Sequence, residues 1–188
     1  QTQSGKLRHP RRREGCPVAE DTMIIDEIVA RARTAQARYE AMGSQALFDK
    51  ACQAVAWVLM QPERNRALAE MAVEETGLGN ADDKVRKNHN KTLGLMRDIK
   101  DVTAFGHVED DDENGLSIYY RPKGVIAAVV PSTNPLATPV NNTINALKTG
   151  NAIILAPSPK GVKPLLALFE HIHPCLLYTS DAADEGGS

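Results

Sequence analysis

Two spacings of apolar residues divide this chain. Up to Lys100 they return every three or four positions, the period of a helix with one buried face; beyond Arg121 they gather into short unbroken runs. Ile25, Val29, Ala32, Ala35, Tyr39 and Met42 predict a first helix that Gly43 ends. Ser44 is placed to cap a second, whose stripe runs through Leu47, Ala51, Val55 and Val58. Phe48, Cys52 and Leu59 widen that stripe, so this helix is predicted to be largely buried. Pro62 marks its end or the first turn of a third helix, Glu63 to Thr76, which Gly77 stops. A fourth segment, Asp82 to Lys100, carries Val85, Leu93, Met96 and Ile99 among lysines and asparagines. From Gly106 to Gly115 the acidic run Glu109-Asp110-Asp111-Asp112-Glu113 reads as a solvated connection, and Leu116 to Tyr120 as a strand.

The second half changes period. An apolar run from Val125 to Val130 leads into the polar elbow Pro131-Ser132-Thr133-Asn134-Pro135 and a helical segment closed by Lys148-Thr149-Gly150. A second run, Ala152 to Leu155, ends in the elbow Ala156-Pro157-Ser158-Pro159. Strand, helix, strand is the unit of a parallel sheet, predicting an α/β fold with helices on both faces of the two strands. Ligands of such sheets sit at the carboxyl ends of the strands, where both elbows fall. Val162 to Ile172 reads as a helix cut short by Pro174.

Both ends read differently from the middle. Residues 1–22 lack apolar periodicity, and Arg11-Arg12-Arg13 is a thin basis for a nucleic-acid arm; translated leader before a true start at Met23 is the expectation. Cys175 to Glu185, CLLYTSDAADE, matches residue for residue the translation of a transposon adapter used in sequencing libraries. Residues 175–188 are therefore expected to be an artefactual tail, leaving 23–174 as the folded part.

Composition narrows the function classes. With 22 basic and 24 acidic residues the net charge of −2 gives no pull towards nucleic acid or membrane, and 4% aromatics argue against a base-stacking surface. Three cysteines without a spacing pattern make no disulfide framework, which with the absence of an apolar leader run points to the cytoplasm. Gly77-x-Gly79 follows a helix and lacks a third glycine, so it reads as a cap and turn. His171-x-His173 beside Cys175 lacks a fourth ligand, and no metal is expected; His89 and His107 read as isolated surface residues. Cys52 lies on an apolar helical face with no base near it and reads as inert.

The two elbows and an upstream stretch together resemble the aldehyde dehydrogenase superfamily, in its coenzyme-A-acylating branch. That branch has Pro-Thr/Ser-Thr-Asn-Pro at the first elbow, where ordinary members have Pro-Trp-Asn-Phe-Pro. At the second elbow ordinary members carry Lys-Pro-Ser-Glu, whose lysine helps hold the adenosine ribose; Ala156 stands in the lysine's place. The third match is Glu75-Thr76-Gly77-Leu78-Gly79 followed by Asp83-Lys84-Val85 and Lys87-Asn88. The resemblance runs from about Ile24 to His171 and covers the amino-terminal part of such an enzyme. It implies a partial fold: amino-terminal helices plus part of a Rossmann-like parallel-sheet cofactor domain. The strand Leu116 to Tyr120 would belong to an extension used for oligomerisation, the parent enzyme being a homo-oligomer.

The activity implied is oxidation of a small-molecule aldehyde with NAD or NADP and coenzyme A. A cysteine thiolate attacks the aldehyde, hydride leaves for the nicotinamide, and coenzyme A takes the acyl group from the thioester. Asn134 would donate to the oxyanion, although aligning on the flanking prolines puts Thr133 opposite the asparagine of ordinary members. Ser132, Thr133, Ala156, Pro157 and Ser158 would meet the cofactor. The nucleophile would lie beyond this stretch, so no turnover is expected of these residues alone. The wording of both elbows looks most like sulfoacetaldehyde-type acylating dehydrogenases, with acetaldehyde-type ones second. A non-acylating member, or a nucleotide-binding or interaction module without chemistry, is the alternative.

Overall fold

The computed structural model describes residues 18–184, and their side chains from 22 to 176. Four helices come first: α1 (Val18–Met42), α2 (Gln45–Met60), α3 (Pro62–Thr76) and α4 (Ala81–Ile99). An antiparallel ribbon follows, β1 (Gly106–Asp111) with β2 (Leu116–Tyr120). The βαβ unit is β3 (Val125–Val130), α5 (Ala137–Lys148) and β4 (Ala152–Pro157). A single 3-10 turn, Pro159–Gly161, leads into α6 (Val162–Asp184).

Helix α2 is the centre of the molecule because its stripe is apolar on more than one side. Phe48, Cys52, Val55, Val58 and Leu59 are all buried, and α3, α4, α5 and α6 pack around them. Leu68 and Ala72 of α3, Val140 and Ile144 of α5, and Leu165, Leu168 and Ile172 of α6 complete one continuous core. Burying each of the larger side chains is favourable by about 1.5–3 kcal/mol. The predicted caps are in place. Ser44 Oγ accepts from Leu47 N at 3.1 Å, and Pro62 opens α3. Gly77, at φ 67°, ends α3 by donating its N–H to Val73 O.

Strands β3 and β4 run parallel, in register from Val125 opposite Ala152 to Val130 opposite Pro157. Helices α5 and α1 both lie against the pair. The chain enters β4 through Gly150 at φ 72°, where a Cβ would come within 2.9 Å of Pro122 Cγ and 3.0 Å of Phe48 Cε2. Only glycine suits this position, on conformation and space alike.

Five expectations change. The acidic stretch is a strand as far as Asp111, because its charges are met locally. His107 Nε2 and Asp110 Oδ1 are 2.9 Å apart, and Asp110 also accepts from Ser117 on the facing strand. His107 is thus not isolated; its ring also meets Tyr119 edge-on. In α4 the buried positions are Lys84, Asn88 and Thr92, one polar stripe at helical spacing, whereas Leu93 is exposed. In α1, Ile25 and Met42 are exposed, and only Val29, Ala32 and Tyr39 of the predicted face are partly covered. Helix α6 continues through Pro174, which forfeits one backbone donor, and Cys175 and Leu176 pack against the core. Residues 1–17 and 185–188, with the Arg11-Arg12-Arg13 run and Cys16, lie outside the described residues.

Candidate functional site

The parallel register brings the two elbows side by side. Val130 O, the last acceptor of β3, takes the N–H of Ser158 at 2.9 Å. Asn134 N donates back to Pro131 O at 3.3 Å, closing the first elbow, and Gly161 N donates to Ser158 O at 2.8 Å, closing the second. A Cβ on Gly161 would lie 3.2 Å from Ser158 Oγ and 3.5 Å from Pro135 Cβ, so the elbows pack against each other with a glycine between them. Ser158 Oγ is buried without a hydrogen-bond partner. Ser132 and Asn134 are half-buried, and their side chains make no hydrogen bond among the described residues. Buried Pro135 anchors the turn, and exposed Thr133 faces outward from it. Helix α5 begins just after this elbow with no side chain capping its first amides, so the positive end of its dipole sits beside the elbow.

The face of the sheet next to the elbows is bare. Val129 is 83% exposed, and its register neighbour Ala156 is exposed as well. Parallel neighbours project from the same side, so the two make a small apolar platform at the carboxyl edge. An alanine rather than a long cation at position 156 leaves that platform uncovered.

The upstream stretch joins the same neighbourhood from α3 and α4. Thr133 shares a cavity of about 170 Å³ with Leu78, Gly79, Asn80, Asp83, Lys84 and Lys87. Asn80 caps α4 by accepting from Asp83 N at 2.8 Å. Asn88 Nδ2 donates to Asn65 Oδ1 at 2.9 Å, and Asn65 Nδ2 to Val85 O at 3.0 Å, clamping α4 to α3. Thr76 Oγ1 accepts from Leu78 N at 3.2 Å, holding the turn that Gly77 begins. Lys84 is 8% exposed. Burial first, and the neighbouring charge of Lys87 second, hold its ammonium below the usual lysine range.

Cys52 is no nucleophile. It is 1% exposed, and its thiol donates to Ile144 O at 3.3 Å. Burial, then the charge of Asp49, push its pKa up to about 12. The nearby Lys148–Asp49 ion pair, at 2.7 Å, belongs to the packing of α5 on α2. Among the described residues, no group of three or more His, Cys, Asp or Glu could hold a metal ion, and no helix is long and apolar enough to cross a membrane.

Sequence reasoning missed Asn151. Its buried Oδ1 accepts from both Lys123 N (2.7 Å) and Gly124 N (2.8 Å), while its Nδ2 donates to Thr149 Oγ1 (2.7 Å). One side chain thus ties the start of β3 to the start of β4. A Gly-Asn pair opening a strand was the available cue, and it resembles an ordinary turn.

Comparison with known proteins places this arrangement. The aldehyde dehydrogenase family model matches residues 16–177. The chain is 55% identical over 149 residues to a sulfoacetaldehyde dehydrogenase (acylating) from Cupriavidus necator, covering 79% of this chain and 30% of that protein. A succinate-semialdehyde dehydrogenase (acetylating) from Clostridium kluyveri is 39% identical over 139 residues, covering 74% and 30%. Among solved structures, an acetylating aldehyde dehydrogenase from Geobacillus thermoglucosidasius superposes with a TM-score of 0.78 at 31% identity, covering 86% of this chain and 35% of that one. A propionaldehyde dehydrogenase from Rhodopseudomonas palustris, with bound CoA and an acylated cysteine, gives 0.71 at 30% identity, covering 82% and 34%. The chain therefore spans about a third of the length of these relatives.

Proposed function

We propose, on the premise that this chain belongs to the aldehyde dehydrogenase family, that it supplies the adenosine side of a cofactor site and one oxyanion donor. The reaction is acylating: aldehyde, coenzyme A and NAD⁺ or NADP⁺ give acyl-coenzyme A, the reduced cofactor and a proton. The observation that carries the reading is the pair of elbows levelled at the carboxyl edge of a parallel pair. Bound nicotinamide supplies the hydride acceptor, and coenzyme A the thiol that accepts the acyl group.

The residues present fit the adenosine half of such a cofactor. Val129 and Ala156 offer a flat apolar platform for a purine, and Ser158 has a hydroxyl that nothing in the protein satisfies. With no cation at position 156, the ribose is met by backbone groups, Pro157 and Ser158. Ser132 and Thr133 contribute from the other elbow. The Asn134 side-chain amide, free of protein hydrogen bonds, donates to the developing oxyanion beside the uncapped start of α5. Ala156 and the Ser-Thr-Asn elbow favour the acylating branch over ordinary members. The aldehyde is of the sulfoacetaldehyde class, with acetaldehyde second; the sulfoacetaldehyde relatives support that order. The parent enzyme is a homo-oligomer.

Neither Cys52, buried in α2, nor Cys175, which donates to His171 O on α6, is placed to start the chemistry, and no turnover is expected of the 188-residue chain. Saturation-transfer NMR with adenosine tests the binding half. Transfer from the Val129 and Ala156 methyls is expected, abolished by Val129→Asp and reduced several-fold by Ser158→Ala. An unchanged response in Val129→Asp sinks the reading. Incubation with sulfoacetaldehyde, NAD and coenzyme A should give no absorbance of reduced cofactor. Turnover that disappeared in Cys52→Ala would move the nucleophile to α2 and overturn the assignment.

A further inference from the structure

Lys84 is a buried cation with no hydrogen-bond or ion-pair partner among the described residues. Its side chain is more than nine-tenths buried, yet no carboxylate or carbonyl accepts from it. Burying an ammonium without an acceptor is costly, and proteins ordinarily pair such a group. The Lys84 Cε lies 3.9 Å from where a Cβ on Gly79 would sit, which places its stem along the glycine wall of the 170 Å³ cavity. Lys87, one turn further along α4 and half-buried, lines the same cavity and also lacks a partner. Two unpaired ammonium groups on one side of a small cavity repel each other unless an anion lies between them.

The only carboxylate lining the cavity is already engaged. Asp83 Oδ1 pairs with Arg86 at 2.5 Å, and Oδ2 accepts from Asn80 Nδ2 at 2.7 Å. Asp82, its neighbour, pairs with Arg66 at 2.7 Å. Neither carboxylate neutralises the lysines. Thr133 of the first elbow also lines the cavity, and its hydroxyl is a third donor.

We infer that Lys84, Lys87 and Thr133 form a binding site for one small oxyanion, a sulfonate or a phosphate, delivered to the first elbow by a substrate. The anion site stands on the cavity and its unpaired lysines. Its assignment to a substrate rests on the proposed function, which puts the reacting carbonyl next to Asn134. Two sources share this chemistry: the sulfonate of a two-carbon aldehyde and a phosphate of coenzyme A. Either would be held there by charge-assisted hydrogen bonds from the two lysines.

The test uses the intact 188-residue chain with its lysines labelled at Cε for NMR. Titration with isethionate (2-hydroxyethanesulfonate), inorganic phosphate and coenzyme A is compared with chloride at equal ionic strength. The expected result is a saturable shift of the Lys84 and Lys87 signals with the oxyanions only. Lys84 should also titrate at higher pH when the anion is bound. Lys87→Gln should weaken binding by about tenfold, and Lys91→Gln, on the exposed face of the same helix, should leave it unchanged. Preference for isethionate assigns the site to the aldehyde; preference for phosphate and coenzyme A over pantetheine assigns it to the second substrate. Equal shifts with chloride, or none at Lys84, overturn the site. Adenosine binding at Val129 is read from different residues, so loss of one assignment leaves the other testable.

Discussion

The helical core and the parallel pair are built from similarly apolar segments but finished to different degrees. Around α2, Phe48, Val55, Val58 and Leu59 are wholly enclosed. Of the six residues in β3, only Val130 is buried, and in β4 none is. The contrast separates two uses of apolar sequence. In α2 it drives folding; at the carboxyl edge of the sheet it remains available to a partner or ligand. The same amino-acid pattern cannot say which segment is enclosed, and the burial of each residue does.

This contrast can be broken from the core side first. Leu59→Ala removes a fully enclosed side chain and should cost about 2–5 kcal/mol, measured by urea unfolding. A cost like that of an exposed leucine would mean that the core is loosely packed. Asn151→Ala acts where the two regions meet. It strands the amides of Lys123 and Gly124, at about 1–3 kcal/mol for each; Asn151→Asp, which keeps the acceptor, should recover much of the loss. Equal destabilisation by both would show that the acceptor is not what holds the strands.

Alkaline pH should separate two buried groups of opposite sign. Cys52 is raised from 9.0 to about 12, so the folded state holds its proton more tightly. Its contribution is complete below pH 9 and is lost as pH rises towards 12. Lys84 is lowered, so its penalty is present at neutral pH and is relieved as pH rises to the unfolded value near 10.5. Unfolding measured from pH 8 to 11 should therefore fall less steeply in Cys52→Ala and more steeply in Lys84→Met. Identical slopes in all three chains would remove both assignments. The smallest effect belongs to the sheet: Val129→Lys should change stability by no more than about 0.5 kcal/mol, while reducing self-association in sedimentation. A large loss of stability would mean that the exposed face is part of the core.

The elements most legible in the sequence were those with one dominant cause. The βαβ unit followed from two unbroken apolar runs around a helical period, and the caps at Ser44 and Gly77 from residue chemistry alone. The ribbon was half legible. Its β1 strand is acidic, and a carboxylate such as Asp110 looks solvated until Ser117 and His107 are placed opposite it. Helix α4 misled for the converse reason: counting apolar positions selected Leu93, whereas the buried stripe is Lys84, Asn88 and Thr92. At the site, the motif wording located both elbows. That Lys84 and Thr133 line one cavity depends on how α3 and α4 pack, and no local pattern encodes it. Pro174 predicted a stop because its local cost is real; the packing of Cys175 and Leu176 on the core offsets it.

Asn151 gives the site its ruler. The side chain sets a common starting line for two strands of six residues each, and equal counting from that line delivers Pro131 and Ser158 to the same height. Adding one residue to either strand would advance its elbow by about 3.3 Å and turn its last side chains to the opposite face. Ala156 would then leave the platform it shares with Val129. The lengths of β3 and β4 are thus as much a part of the candidate site as the residues at their tips, and are counted from the far end of the sheet.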